Sequence, residues 1–132
     1  MQPQKEISIE DGKKILTIQE EFSQLFPYLK LEFFSRAPAG EDSHRKQIRS
    51  SMSTLGECRP LHNSGAIIIS PEMTVDELEK AFEQSFGLWV QVFRKSGRVW
   101  IETSVTNKWS LEKQNLQGEE LSRHFSSENR DL

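Results

Sequence analysis

The sequence has little of what usually marks a secreted, membrane-bound or metal-binding protein. Its one cysteine, Cys58, cannot form an intramolecular disulfide, so we expect a protein of the reducing cytoplasm. The longest unbroken apolar run, Ala66–Ile69, is far too short to span a bilayer. Because the N-terminus lacks the basic and then apolar pattern of a secretory signal, we expect neither membrane insertion nor secretion.

Glycine-rich loops and an excess of positive charge are also missing. The 7 glycines are scattered and form neither a G-x-G-x-x-G fingerprint nor a P-loop, so we predict no cofactor. A formal net charge of -3 gives no overall attraction to nucleic acid or to anionic lipid. The 132 residues suffice for one domain with a real core, which we place at 1–121, followed by a flexible tail at 122–132.

No motif marks a catalytic centre or a metal site. The chain has no G-x-S-x-G nucleophile elbow, and His62 and Ser64 are neighbours in sequence only. The spacing of Cys58 and His62 matches no strong zinc pattern, and Pro60 between them disfavours the helix that would put both on one face. We therefore predict no metal and no enzymatic activity. Convergence of Cys58, His62 and an acid in the folded chain would overturn that prediction.

Four acidic residues fall on one side of the helix that we predict after Thr74. They are Glu72, Asp76, Glu79 and Glu83. The opposite side of this helix carries the apolar stripe that faces the core, so we interpret the acidic side as a solvated helix face.

The chain does carry a degenerate duplication, with an offset of 60 residues (67 − 7) between Ile7-Ser8-Ile9 and Ile67-Ile68-Ile69. The apolar positions that then match are Ile15, Ile18, Phe22 and Phe26 in the first copy and Val75, Leu78, Phe82 and Phe86 in the second. The first copy has one extra residue, Tyr28, so the offset between matched positions falls by one after it. Residues 29–34 then match residues 88–93. The matched positions build a strand, an amphipathic helix and a second strand.

Hydrophobic periodicity predicts the element order β-αβαββ-α. The third helix starts with the capping box Thr74-Val-Asp-Glu77 and ends at Gly87. A middle helix, capped by Asp42 or Ser43 and ended by Gly56, is expected to join the copies. Its buried face would carry Ile48, Met52 and Leu55.

Strand, helix and strand in each copy favour right-handed βαβ crossovers. We predict an α+β fold, a two-layer sandwich with a mixed sheet of four or five strands. Its degenerate internal βαβ duplication would have halves 5–35 and 65–105, joined by 36–64.

The hairpin at 88–105 is the sharpest candidate for a functional surface. A turn at Ser96-Gly97 would place Phe93 opposite Trp100. One face would then carry three aromatic side chains beside a basic hairpin tip. We call these six residues the hairpin surface: Trp89, Phe93, Arg94, Lys95, Arg98 and Trp100.

Three partners could cover this surface. The protein's own C-terminal helix could do so through Trp109, Leu111 and Leu116. A second copy could bury it in a homodimer, and single-stranded nucleic acid could stack on the aromatic rings. We expect a small non-enzymatic domain that acts through protein–protein contact or self-association. Nucleic-acid binding through the hairpin is the alternative, although Glu102 and the acidic pI count against it.

The span Val75–Asn115 resembles a group of short uncharacterised bacterial proteins. The similar segments are Phe86-Gly-Leu-Trp-Val-Gln-Val-Phe-Arg-Lys-Ser-Gly-Arg-Val-Trp-Ile-Glu-Thr and Trp109-Ser-Leu-Glu-Lys-Gln-Asn. This resemblance covers under half of the chain and implies no activity or catalytic residue. The βαβαββ order and the basic hairpin tip are also similar to the Alba-type nucleic-acid-binding fold, whose β-hairpin contacts the duplex.

Overall fold

The computed structural model describes residues 4–35, 46–48 and 50–130, with the side chains of 124–130 left out. The strands of this part are β1 (Lys5–Ile9), β2 (Leu29–Phe34), β3 (Gly65–Ile69), β4 (Trp89–Ser96) and β5 (Val99–Glu102). Its helices are α1 (Ile15–Leu25), α2 (Leu55–Cys58), α3 (Val75–Phe86) and α4 (Leu111–Arg130). The predicted α+β class is confirmed, whereas the predicted caps Asp42 and Ser43 lie outside the described residues.

The strands form two antiparallel sheets, β1-β3 and β2-β4-β5, where we predicted one mixed sheet. The predicted βαβ crossovers are therefore wrong, because β1 and β2 lie in different sheets. A strand, a helix and a strand specify only the order of elements, and here each strand of the first half pairs with a strand of the second.

Both pairings are centred on residues that the repeat matches. Ile7 lies opposite Ile67 in the middle of the β1–β3 pair, and Glu32 lies opposite Gln91 in the β2–β4 pair. Two copies related by a two-fold axis would give these registers. The superposition of the two copies stays a prediction.

The segment that we expected to join the copies has its own counterpart in the second half. Ile15 N–H donates to the Ser53 carbonyl (2.9 Å), and Leu55 N–H donates back to the Lys13 carbonyl (2.8 Å). Two more bonds of this kind run from the N–H of Leu16 to the carbonyl of Ser51 and from the N–H of Gly56 to the carbonyl of Asp11. The second half has the same four N–H to carbonyl bonds, namely Val75 to Trp109, Asp76 to Asn107, Leu111 to Met73 and Glu112 to Pro71. Because the four bonds agree position by position, α2 begins against α1 in the way that α4 begins against α3.

The middle helix is much shorter than predicted. It comprises Leu55–Cys58, with Gly56 inside it, and the Met52 side chain is 56% exposed. Serines and threonines before Leu55 are weak helix formers that favour caps instead. Thr54 accordingly forms a capping box with Glu57, whose carboxylate accepts from the Thr54 N–H at 3.0 Å.

The core lies where the apolar stripes of α1 and α3 meet the sheets. Phe22 and Phe82 are fully buried, and Phe26 and Phe86 nearly so, which confirms the predicted burial of these four rings. The capping box of α3 is also confirmed, and Gly87 ends the helix at φ 62°. This left-handed conformation favours glycine.

Helix α4 packs closely on β4 at Gly118, which is buried. A Cβ at Gly118 would lie 2.9 Å from the Cβ of Tyr28 and 3.2 Å from the carbonyl oxygen of Lys95. The helix then continues to Arg130, through the region where we predicted a flexible tail.

In Gly118→Ala the added methyl group overpacks the contact with Tyr28, at a cost of about 1–3 kcal/mol. Alanine gains about 1 kcal/mol over glycine inside a helix, so we expect a net destabilisation of about 1–2 kcal/mol. Urea melts measure the change. Gly12→Ala is the control, since nothing lies within 4 Å of a Cβ there. A Gly118→Ala protein more stable than the wild type would contradict the close packing of α4.

Candidate protein-interaction surface

The hairpin turn lies one residue further along the chain than predicted. Ser96 pairs with Val99, so the two loop residues are Gly97 and Arg98. Gly97 has φ 66°, and no non-glycine residue of the described chain has a positive φ, which is the pattern of a type II′ turn. The predicted turn at Ser96-Gly97 is therefore wrong.

The new turn moves the strand register by two residues. Lys95 now lies opposite Trp100, and Phe93 lies opposite Glu102. Because side chains alternate with a period of two, this change leaves every side chain on its predicted face. We call the face of β2-β4-β5 that points away from the core the outer face. It carries Lys30, Glu32 and Phe34 from β2, Trp89, Gln91, Phe93 and Lys95 from β4, and Trp100 and Glu102 from β5.

Phe93 and Trp100 form an aromatic patch on the outer face together with Lys30. The Lys30 ammonium lies 5.0 Å from the ring centroid of Trp100 and 5.8 Å from that of Phe93. It also forms a salt bridge of 3.2 Å with Glu32. Lys30 was not among the predicted surface residues, although the two-fold register implied by the repeat would have placed it opposite Phe93.

Arg94 does not belong to the basic tip, and this part of the predicted surface is wrong. Its guanidinium donates to the Gln114 Oε1 atom at 2.7 Å and lies 5.6 Å from the ring centroid of Trp109. Burial lowers the pKa of Arg94 below its usual value. Neighbouring residues of a strand point to opposite faces, so Arg94 joins the face of Val92 while Phe93 points outward.

The described side chains of the C-terminal helix, up to Arg123, make their contacts away from the aromatic patch. This helix packs on the opposite face of the sheet, which carries Arg94. There Trp109 lies against the Arg94 guanidinium, and the Lys113 ammonium is 4.2 Å from the Trp109 ring centroid. Leu111 is buried in the main core, and Leu116 is 55% exposed. Trp109, Leu111 and Leu116 therefore do not provide the cover that was one of the three alternatives, and Trp100 keeps 36% of its surface exposed.

Trp89 lies at the far end of β4, away from the tip. Its indole N–H donates to the Glu83 carboxylate at 3.0 Å. A second carboxylate, Glu79, accepts from the Val92 N–H at 3.1 Å, beyond the point where β5 stops pairing with β4. Glu79 and Glu83 thus have specific partners, and the interpretation of this side of α3 as a merely solvated face is wrong for them.

A cleft of about 540 Å³ lies between this side of α3 and the hairpin. Most of its charged lining residues are acids. The lining is Asp76, Glu79, Lys80, Glu83, Trp89, Val90, Gln91, Glu102, Ser104 and Asn107. Hydrogen bonds from Lys108 (2.9 Å) and then Lys80 lower the pKa of Asp76, which keeps that carboxylate charged.

A second polar cluster surrounds Arg59, whose side chain is fully buried. The guanidinium donates to the Asp11 Oδ1 atom at 2.9 and 3.2 Å, to the Asn63 carbonyl at 2.6 Å and to the Phe86 carbonyl at 3.0 Å. The hydrogen bond from Arg59 is the main cause that lowers the pKa of Asp11, and His62 adds to it. This cluster ties the loop after β1 to the end of α3.

Cys58 stays apart from the acid and the histidine of this cluster. His62 Nδ1 lies 2.8 Å from the Asp11 Oδ2 atom, whereas the Cys58 thiol donates to the Thr54 carbonyl at 3.2 Å. Burial is the main cause that raises the pKa of the Cys58 thiol, which is the opposite of what activates a nucleophile. The convergence of all three groups that would have overturned the non-enzyme prediction is therefore not formed.

Among the described residues, no three His, Cys, Asp or Glu side chains are grouped so that they could hold a metal ion. Within the same part of the chain, no helix combines the length and the apolar character that crossing a bilayer requires. Comparison of the sequence with family models and curated proteins, and of the fold with solved structures, gave no match.

Proposed function

We propose that this protein acts by self-association, with a second copy bound at the hairpin β4–β5. The observation that carries the proposal is the position of β5 at the edge of its sheet, beside apolar side chains that remain exposed. Trp100 is 36% exposed and Val99 is 58% exposed, and the two point to opposite faces of the same strand.

An edge strand offers a row of backbone hydrogen-bonding groups to another chain. Strand β5 is only 4 residues long, so the backbone alone gives little affinity. Side chains on both faces of β5 must supply the rest, and aromatic residues are enriched at the centres of protein interfaces. Trp100 is suited to this role because it lies in the middle of the edge.

Several contacts favour a protein partner over nucleic acid. With Arg94 turned toward α4, the basic tip keeps only Lys95 and Arg98 of its three predicted cations. The Lys30 ammonium lies over the rings of Phe93 and Trp100, where bases would have to stack. The carboxylates of the neighbouring cleft would also repel a phosphate backbone.

We expect the wild-type protein to sediment as a dimer at micromolar concentration and Trp100→Glu to sediment as a monomer. This substitution removes the aromatic side chain from the centre of the interface and puts in its place a charge that has to be desolvated, which is strongly unfavourable. Sedimentation equilibrium is the measurement, and far-UV circular dichroism checks that the variant is folded. Ile68→Glu is the matched control, because Ile68 is 57% exposed on β3 in the other sheet; this variant should remain a dimer.

A strictly monomeric wild type would remove the proposal. Fluorescence-anisotropy titrations with short DNA and RNA then test the alternative. Binding that weakens linearly in log salt, with a smaller slope for Lys95→Ala, would favour a nucleic-acid partner instead.

A further inference from the structure

We infer that the two copies pair along β5 in one register only, antiparallel about a two-fold axis through Trp100. This inference rests on the proposed self-association and specifies its geometry. The direction of the backbone groups, the charges at the ends of β5 and the exposed Val99 favour this register.

The contacts of β4 show which residues of β5 point outward. The carbonyl of Val92 accepts from the Thr103 hydroxyl at 2.8 Å, on the side of β5, whereas the Lys95 N–H donates to the Tyr28 carbonyl, on the side of β2. Even-numbered residues of β4 therefore direct their backbone groups toward β5. Their partners there are Val99 and Ile101, which are opposite Ser96 and Arg94. Because the direction alternates along a strand, the N–H and C=O groups of Trp100 and Glu102 point away from the sheet.

This alternation restricts where a two-fold axis can lie. If the axis passed between two residues, such as Trp100 and Ile101, an outward-pointing residue would face an inward-pointing one and no ladder of hydrogen bonds would form. The axis must therefore pass through a residue of β5, because only then do outward-pointing residues face outward-pointing residues of the second copy.

Charge decides among the four residues of β5. With the axis at Val99 or Ile101, Trp100 would face Arg98 or Glu102 of the second copy, and neither charge would lie opposite a charge of the other sign. With the axis at Glu102, the two Glu102 carboxylates would lie directly opposite each other, which destabilises a strand pair. With the axis at Trp100, Arg98 lies opposite Glu102 of the second copy, and the symmetry repeats this pair of opposite charges. The register centred on Trp100 is therefore favoured.

The same register accounts for the exposed apolar side chain on the other face. It places Val99, which is 58% exposed, opposite Ile101 of the second copy. This position is a non-hydrogen-bonded pair, in which side chains approach most closely. On the outer face the two Trp100 side chains lie side by side, and the aromatic patches of both copies, each with Lys30, Phe93 and Trp100, become continuous.

Charge reversal tests the register. Arg98→Glu and Glu102→Arg should each raise the dissociation constant of the dimer about tenfold, because each homodimer then has two pairs of like charges. A one-to-one mixture of these two variants should form a heterodimer of nearly wild-type affinity, since both of its pairs are again opposite in charge. Sedimentation equilibrium of each variant and of the mixture measures this. Arg123→Glu makes the same charge change on exposed α4 and should leave the dissociation constant unchanged.

The outcomes separate the register from the proposed function. A dimeric wild type whose variants show no rescue on mixing would overturn the register and leave self-association in place. A wild type that is monomeric throughout would overturn both. Rescue in the mixture would also exclude misfolding as the reason why the single variants dissociate, because misfolded chains would not recover affinity in each other's presence.

Discussion

Phe82→Ala is expected to lower the free energy of unfolding by about 3–5 kcal/mol. Phe82 is fully buried, and its ring meets Phe33 edge-on with the centroids 6.2 Å apart. Phe22, at the matched position of the first copy, is equally buried beside Phe26 at 5.5 Å, so Phe22→Ala should cost a similar amount. Urea melts monitored by circular dichroism measure both. Losses of this size are a large part of the stability of a small domain.

Phe34→Ala is the matched control for these two variants. Its ring lies on the outer face and is only half-buried, so the same substitution should cost distinctly less. A Phe22→Ala protein as stable as the wild type would show that the correspondence between Phe22 and Phe82 has no energetic meaning. The repeat would then be accidental.

Arg59→Ala is expected to cost about 2–5 kcal/mol, because the loss of this fully buried side chain leaves two carbonyl acceptors unsatisfied at about 1–3 kcal/mol each. The substitution leaves the carbonyl oxygens of Asn63 and Phe86 without their donor and opens a cavity where the guanidinium lay. Arg59→Lys should recover part of the loss, because an ammonium keeps the charge but cannot reach all of these acceptors at once.

The pH dependence of the same variant identifies the contact with Asp11. The pKa of Asp11 is lowered in the folded protein, so this contact stabilises the fold above the unfolded pKa and its contribution is lost as the pH falls through the folded pKa. The difference in stability between wild type and Arg59→Ala should therefore narrow in acid. A difference that is constant down to the acid transition would assign the effect to the two carbonyl contacts alone.

Local features of the fold could be predicted from the sequence, because their causes are local. The capping box of Thr74 and Glu77 and the glycine at position 87 define α3 without reference to the rest of the chain. The burial of Phe22 and Phe82 follows from the helical spacing of apolar residues. Each of these signals acts within one or two turns of the helix.

The partners of the strands could not be predicted, because nothing in a strand–helix–strand segment specifies whether its strands pair with each other. Here Ile7 pairs with Ile67 in the other half of the chain. The hairpin register was wrong for a related reason. Turns at Ser96-Gly97 and at Gly97-Arg98 both use Gly97 and leave all side chains on the same faces, so the hydrophobic pattern does not distinguish them.

The candidate surface was predicted in part. Phe93 and Trp100 do lie together, but Trp89 belongs to the acidic cleft and Arg94 packs under α4. The alternation of side chains along β4 already separated Arg94 from Phe93, so that error could have been avoided. The place of Lys30 beside the two rings depends on the pairing of β2 with β4, which a two-fold register of the repeat implies but the predicted βαβ crossovers do not contain.

The exchange of strands between the two halves has a consequence for synthesis of the protein on the ribosome. Apart from the hairpin, the strand pairs join residues 60 and 59 positions apart (67 − 7 and 91 − 32). At ribosomal elongation rates, β3 and β4 are therefore synthesised about 3–12 s after the strands with which they pair, β1 and β2. During this time Ile7, Ile9, Leu31 and Phe33, all buried in the finished protein, have no strand to cover them. The first half therefore cannot complete its sheets until β3 and β4 have been made, and its folding depends on contacts of high sequence separation.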